Sequence, residues 1–234
     1  MSGLHEEVEL SIVMPCRNEE HTVGICIDEA RAFLRDRGIR GEILVVDNHS
    51  SDRSVETALE HGAGVERVDD IGYGHALRYG LLKARGAVII MGDCDTTYDF
   101  TEAGGIYDML VSGSFDVVIG DRFAGGIERG AMPLLHKIGV RVLSWLGRRR
   151  FRTDVKDFHC GLRGLTREAY EKLSLHTSGM EFATELIAEA AKSGLKTGQI
   201  PVKLRRCRQE RRSKLRTIRD GMRHLLYIGS AGSG

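Results

Sequence analysis

Short apolar runs that stop abruptly at polar or acidic residues, with helical periodicity between them, constrain this chain more than any other feature. Residues 10–14 run into Pro15 and then Asn18-Glu19, and residues 42–46 end in Asp47-Asn48-His49-Ser50-Ser51-Asp52. Residues 87–91 end in Gly92-Asp93-Cys94-Asp95, and residues 116–119 end in Gly120-Asp121-Arg122-Phe123. Runs of this length and composition suit strands buried on both faces of a parallel sheet. Between the first two, Val23, Ile27, Ala30 and Leu34 recur at helical spacing, with Thr22 placed to cap the helix. Further helices are predicted over 54–61, 74–84 and 101–111, with a weaker strand at 65–68. Such alternation predicts a mostly parallel α/β sheet with right-handed crossovers.

In open sheets of this class ligands bind at the carboxyl ends of the strands. Asp93 and Asp95 therefore sit where two hard oxygen ligands could hold Mg2+ or Mn2+ and leave positions for a diphosphate. An Asp-x-Asp pair serves equally as a solvated turn, so its placement after a buried run carries the argument. A dinucleotide-binding Rossmann domain is the natural competitor, with Asp47 where a ribose-binding acid belongs. The first turn, Pro15-Cys16-Arg17-Asn18-Glu19-Glu20, has no glycine, however, and a backbone carrying side chains there cannot approach a pyrophosphate closely. Gly72-Tyr73-Gly74 is followed by Leu77 where the third glycine would stand, and there is no P-loop pattern.

The 234 residues suffice for one sizeable core. No apolar run approaches the roughly 18 residues of a membrane span, and the N-terminus lacks a signal-peptide pattern, so a cytoplasmic or peripheral protein is expected. Five widely spaced cysteines without a Cys-x-x-Cys pair indicate reduced thiols and argue against structural zinc. The net charge of +1 conceals an asymmetry, because residues 203–223 hold ten Lys/Arg and two Asp/Glu, leaving 24 basic against 31 acidic residues elsewhere. That end prefers anions. Its single aromatic, Tyr227 just beyond, is too little for base stacking, and a nucleic-acid-binding module would leave the acidic strand ends unexplained.

The second half changes rhythm. Residues 125–133 form a glycine-rich loop carrying Glu128 and Arg129, of the kind that often acts as a lid. A helix is predicted over 134–146 with a basic tail of Arg148, Arg149, Arg150 and Arg152. Residues 157–163 read as turn then strand, 181–191 as a helix and 197–204 as a last strand. From 215 to 228, Leu215, Ile218, Met222, Leu225 and Leu226 share a helical face, with Arg216, Arg219 and Arg223 elsewhere on it. His159 beside Cys160 invites a nucleophile reading, but nothing else supports a Cys-His hydrolase.

Taken in order, Val13-Met14-Pro15 with Asn18-Glu19, Val45-Val46-Asp47-Asn48 with Ser51-Asp52, Gly92-Asp93-Cys94-Asp95, Gly120-Asp121-Arg122-Phe123, Asp157 with Gly161-Leu162-Arg163, and Arg212-Ser213-Lys214 resemble a family 2 glycosyltransferase of the GT-A fold. The similarity is greatest to polyprenyl-phosphate (dolichol-phosphate-type) mannosyl- and glucosyltransferases. It implies a single GT-A domain over residues 1–228, with a nucleotide-binding half at about 8–123, an acceptor-side half at about 124–228, and a flexible tail at 229–234.

The resemblance also implies roles. Pro15, Asn18 and Glu19 would line the nucleotide pocket, and Asp47 would accept a hydrogen bond from base or ribose, although Asn18 and Asp47 could instead be helix caps. Asp93 and Asp95 would hold the divalent cation on the diphosphate of a GDP- or UDP-sugar. Arg122 and Arg163 could fork phosphate oxygens or form structural ion pairs. Arg212 and Lys214 would meet a polyprenyl-phosphate acceptor near an anionic membrane surface. A phosphate acceptor needs no general base, because its second pKa is about 6; a hydroxyl acceptor would need one, and Asp157 and Glu181 are the candidates. Three positions depart from the pattern. Thr97 stands where a metal-binding glutamine is frequent, Tyr73 replaces a basic residue, and Arg211-Arg212-Ser213-Lys214 lacks a glycine before the serine.

Overall fold

The computed structural model describes residues 7–208 and 217–230. The elements alternate through the first half: β1 (Leu10–Cys16), α1 (Val23–Asp36), β2 (Gly41–Asp47), α2 (Ser54–Glu60), β3 (Gly64–Arg67), α3 (Tyr73–Lys83), β4 (Val88–Met91), α4 (Gly104–Val111) after a 3₁₀ turn, and β5 (Val117–Asp121). The second half contributes α5 (Arg122–Gly125), α6 (Leu134–Phe151), β6 (Arg163–Thr166), α7 (Arg167–Glu171), α8 (Phe182–Lys192), β7 (Thr197–Pro201) and α9 (Thr217–Ser230).

The seven strands form one sheet in the order β3-β2-β1-β4-β6-β5-β7. All neighbours pair in parallel except β6, which runs antiparallel between β4 and β5. The change of rhythm seen in the sequence is this strand. Its register places Arg163 opposite both Met91 and Ile119, so a cation lies in the middle of the sheet beside the strand that ends at Asp93. Leu10, Ile12, Val13, Ile89, Ile90, Val117 and Ile119 are fully buried, as expected of strands covered on both faces.

Several local expectations change. Thr22 precedes α1, but its hydroxyl bonds Glu19 and makes no cap contact with the helix. The helix predicted over 134–146 continues to Phe151, and α9 continues to Ser230, into the predicted tail. The glycine-rich loop is pinned to the segment after β7. Ile127 bridges Leu204, the Glu128 amide donates to the Leu204 carbonyl at 3.0 Å, and Lys203 pairs with Glu128 at 3.0 Å. Its Met132 is buried. A loop so anchored is part of the wall and not a free lid. All five cysteines are free thiols.

Candidate active site at the carboxyl edge of the sheet

The carboxyl ends of β1, β2 and β4 lie side by side because these strands are neighbours. Three of the four non-glycine residues with positive φ among the described residues occur in the loops leaving them: Asn18 (φ 54°), His49 (φ 64°) and Thr96 (φ 65°). Left-handed backbone disfavours a β-branched residue such as Thr96 most of all, and strain of this kind concentrates where a loop must hold a functional shape.

Two of these loops are zipped together. The Asn18 side-chain oxygen accepts from the Ser51 amide at 2.7 Å, while the Asn18 amide donates to the Ser50 hydroxyl at 3.0 Å. The Glu19 amide donates to the Ser54 hydroxyl at 2.7 Å, and the Glu20 amide to Asp52 at 3.2 Å. Asp47, 5% exposed, accepts from the Ser50 amide at 3.1 Å and so fixes the loop after β2; it does not cap α2. Asn48 reaches across to the entry of α3, accepting from the Gly72 amide and donating to the Asp70 carbonyl, both at 2.8 Å. Pro15, Asn18, Glu19 and Asp47 thus stand on one connected rim.

The third loop carries the two aspartates. The Tyr73 hydroxyl donates to Asp93 Oδ1 at 3.1 Å. A Cβ at Gly161 would come within 2.3 Å of Asp93 Oδ2, so only glycine admits the carboxylate there. Burial and the neighbouring Asp95 charge push Asp93 up to about 6, against the pull of Tyr73 and Arg163. Asp95 Oδ1 accepts from the Thr97 amide at 3.1 Å and the Thr97 hydroxyl at 2.5 Å. Thr97, which stands where a metal-binding glutamine is frequent, here orients Asp95. Among the described residues no three His, Cys, Asp or Glu converge as a metal cage. Two carboxylates crowded by burial and mutual repulsion nevertheless fit a hard divalent cation that completes its shell with phosphate oxygens and water.

The remaining candidates separate into distinct surroundings. Arg122 and Asp157 form a buried bidentate pair, Nε to Oδ2 at 2.7 Å and an Nη nitrogen to Oδ1 at 2.8 Å, with Asp157 entirely inaccessible. Arg122 therefore faces Asp157 and not the open edge. Arg163 is 1% exposed and donates to the carbonyls of Cys160 and Ala183. It acts as a fixed positive charge beneath Asp93. Glu181 lies immediately before α8, where Oε1 accepts from the Gly179 amide at 3.2 Å and from Arg223 of α9 at 2.7 Å, while Oε2 is buried without a hydrogen-bond partner. Arg212 and Lys214 lie outside the described residues.

Sequence reasoning missed three contributors. Ser178, in the turn before α8, places its carbonyl at the N-terminus of α3, accepting from the Gly74 amide at 2.9 Å; a Cβ at Gly74 would approach the Thr177 carbonyl to 2.4 Å. The glycines flanking Tyr73 thus serve this close approach and aim Tyr73 at Asp93. Arg205, read only as part of a basic segment, binds Glu29 and Asp99 at 2.9 Å each, and its amide donates to the Thr97 carbonyl at 2.9 Å. His224 of α9 sits edge-on to His159, centroids 4.3 Å apart, and its Nδ1 lies 2.8 Å from the Thr184 hydroxyl. Burial pushes His224 down to about 4 and His159 well below the usual range, so both rings are neutral at pH 7. His159 is thus a packed, neutral ring and not half of a Cys-His pair.

Residues 11–174 match the family described as Glycosyl transferase family 2. The chain belongs to that family. It is 39% identical over 220 residues to the low-salt glycan biosynthesis hexosyltransferase Agl6 of Haloferax volcanii, an alignment covering 94% of this chain but 52% of that protein. The chain thus spans about half the length of that relative. It is 30% identical to a dolichyl-phosphate hexose transferase of the same organism, covering 84% of this chain and 83% of that one. Among solved structures it resembles glucosyl-3-phosphoglycerate synthase from Mycobacterium tuberculosis in complex with Mn2+ and UDP-glucose (TM-score 0.74, 20% identity, 94% and 77% coverage). It also resembles mannosyl-3-phosphoglycerate synthase from Rubrobacter xylanophilus (TM-score 0.74, 23% identity, 94% and 72% coverage). The sheet of this family 2 chain thus has the GT-A-type fold. No helix among its described residues is long and apolar enough to cross a membrane.

Proposed function

We propose that this family 2 glycosyltransferase moves a hexose from a GDP- or UDP-sugar to a polyprenyl phosphate, with inversion and with a divalent cation. The observation that carries the reading is the Asp93/Asp95 pair at the end of β4, where burial and repulsion penalise two adjacent negative charges that a bound cation would offset. A dolichyl-phosphate hexose transferase among the relatives and a complex with Mn2+ and UDP-glucose among the neighbouring folds support acceptor, donor and ion. When bound, the cation supplies charge stabilisation for the departing diphosphate.

The chain's own residues do the rest. The rim of Asn18, Glu19 and Asp47 holds the nucleoside, Tyr73 and Thr97 hold the two aspartates in place, and Arg163 tempers the charge beneath them. An incoming phosphate oxygen is already anionic, so catalysis reduces to alignment and desolvation. Arg212 and Lys214 are assigned to that phosphate. A peripheral position on an anionic membrane surface follows, since each Lys or Arg near such a surface contributes about 1 kcal/mol.

A hydroxyl acceptor is the second reading. It requires a base, and Asp157 is ill suited because both its oxygens are held by Arg122. Glu181, with one oxygen unpartnered, is the better candidate.

The test is transfer from GDP- and UDP-hexoses in detergent with Mn2+, with and without a polyprenyl phosphate, for the parent and for Arg212→Ala/Lys214→Ala. The expected result is lipid-linked product from the parent and at least about tenfold less from the variant, with slow donor hydrolysis persisting in both. Preference for a water-soluble hydroxyl acceptor, or an unaffected double variant, rejects the lipid-phosphate reading.

A further inference from the structure

Two buried cysteines meet beneath the Asp93–Asp95 turn. β1 and β4 pair in parallel, with Leu10 opposite Val88 and Val13 opposite Met91. The Gly92 amide still donates to the Val13 carbonyl at 3.1 Å, so the register holds to the start of the turn. Three residues beyond Val13 and Met91, the same register sets Cys16 opposite Cys94. Neighbouring strands lie about 4.8 Å apart, inside the roughly 4.4–6.8 Å between Cα atoms that a disulfide spans. The Cys94 thiol donates to the Pro15 carbonyl at 3.2 Å, and the Cys16 thiol lies against it. The remaining thiols are placed differently. Cys26 of α1 meets the Thr96 amide, Cys160 lies 3.5 Å from the Leu162 carbonyl, and Cys207 is half-buried on the segment after β7.

The pair joins the two loops on which the site depends. Cys94 separates Asp93 from Asp95, and Cys16 leads into the loop where Asn18 and Glu19 bond Ser50, Ser51 and Ser54. The turn has little slack. Thr96 already has left-handed backbone (φ 65°), Asp93 lies against Gly161 where a Cβ would clash, and Asp95 is held by Thr97. A covalent link at Cys94 therefore moves the carboxylates on either side of it. Disturbing the groups that orient metal ligands lowers metal affinity about 10–100-fold.

We propose that Cys16 and Cys94 form a thiol–disulfide site, oxidised by hydrogen peroxide, that switches the Asp93–Asp95 turn out of its cation-binding shape. One thiol sulfur attacks a peroxide oxygen and the O–O bond breaks, giving a sulfenic acid and water. The second thiol then displaces the sulfenic hydroxyl as a second water and the S–S bond forms. The two sulfurs give up two electrons and the two thiols two protons, all of which leave in the waters. A dithiol reductant reverses the step by exchange. Burial makes the pair slow to react, which suits a small uncharged oxidant. The effect on the cation rests on the Asp93/Asp95 reading; the linkage itself does not.

The test treats the reduced protein with hydrogen peroxide, digests it without reductant and maps the linked peptides by mass spectrometry. Mn2+ is titrated calorimetrically into the reduced, oxidised and dithiothreitol-treated protein. The expected result is a Cys16–Cys94 link, Mn2+ affinity at least about tenfold weaker in the oxidised form, and recovery with dithiothreitol. Cys16→Ala, and Cys16→Ser as the variant that keeps the side chain's size, should bind Mn2+ like the reduced parent and lose the response to peroxide. The proposal is overturned if oxidation maps elsewhere while Cys16 and Cys94 stay free, if the linked protein binds Mn2+ as the reduced one does, or if a folded Cys16 variant remains peroxide-sensitive. Reduced protein that takes up no Mn2+ would reject the metal reading and the switch together, so the two failures are told apart.

Discussion

Asp93 shows how much of a site's chemistry is set by what surrounds one carboxylate. In an unfolded chain its pKa would lie near 3.8; in the fold, burial and Asp95 push it up to about 6. Between those values the folded, metal-free protein holds a proton that the unfolded chain has lost, so its stability falls as pH rises through this window and then levels off. A cation bound at Asp93, as proposed, would have to displace the same proton. Mn2+ affinity should therefore strengthen about tenfold or more between pH 5 and pH 7 and be flat above. Calorimetric titration of the metal-free protein across that range checks it, and an affinity already constant from pH 5 would mean that Asp93 is not a ligand. Tyr73 belongs to the same environment, since its hydroxyl holds Asp93 Oδ1 and leaves Oδ2 against the bare backbone of Gly161.

At the scale of elements, the sequence located nearly every strand and helix because their periods are local properties: buried runs for β1, β2, β4 and β5, and 3.6-residue spacing for α1 and α9. The loops leaving β1, β2 and β4 were legible as a site for the same reason, each following a buried run. What the periods do not encode is long-range pairing. Nothing local in Arg122 and Asp157 says that they neutralise each other, or that Ser178 will occupy the entry of α3. Residues 203–208 read as a generic basic stretch, yet Arg205 clamps the turn beyond Asp95 through Glu29, Asp99 and the Tyr98 carbonyl. Arg205→Ala would leave two partly buried carboxylates uncompensated and should cost about 2–4 kcal/mol of stability, with weaker Mn2+ binding as the turn loosens. Arg205→Lys should recover only part of this, because an ammonium cannot span both acids as a guanidinium does. Urea denaturation of the three proteins measures it, and a stability within experimental error of the parent for Arg205→Ala would make this network a surface feature.

For the whole molecule the question is whether the N-terminal half, up to about residue 123, and the C-terminal half beyond it unfold as one. The sheet interleaves them, since β6 of the second half lies between β4 and β5 of the first, and the ties that cross are buried. Arg122 binds Asp157, the Gly161 amide donates to the Tyr98 hydroxyl at 2.8 Å, and Gly74 donates to Ser178. Removing one partner of a buried ion pair leaves a charge that the interior cannot solvate, a cost of about 3–5 kcal/mol. If the halves are one cooperative unit, Asp157→Ala should lower stability by that amount and shift the entire transition. Trp145 fluorescence, which samples the C-terminal half, and far-ultraviolet circular dichroism, which samples both, should give coincident midpoints before and after the substitution. Separate midpoints in the parent would divide residues 8–123 from residues 124–228 into independently folding units. A base assignment for Asp157 predicts the opposite pattern, with turnover lost and the unfolding curve unmoved, so the same variant decides whether this carboxylate serves the reaction or the joint between the halves.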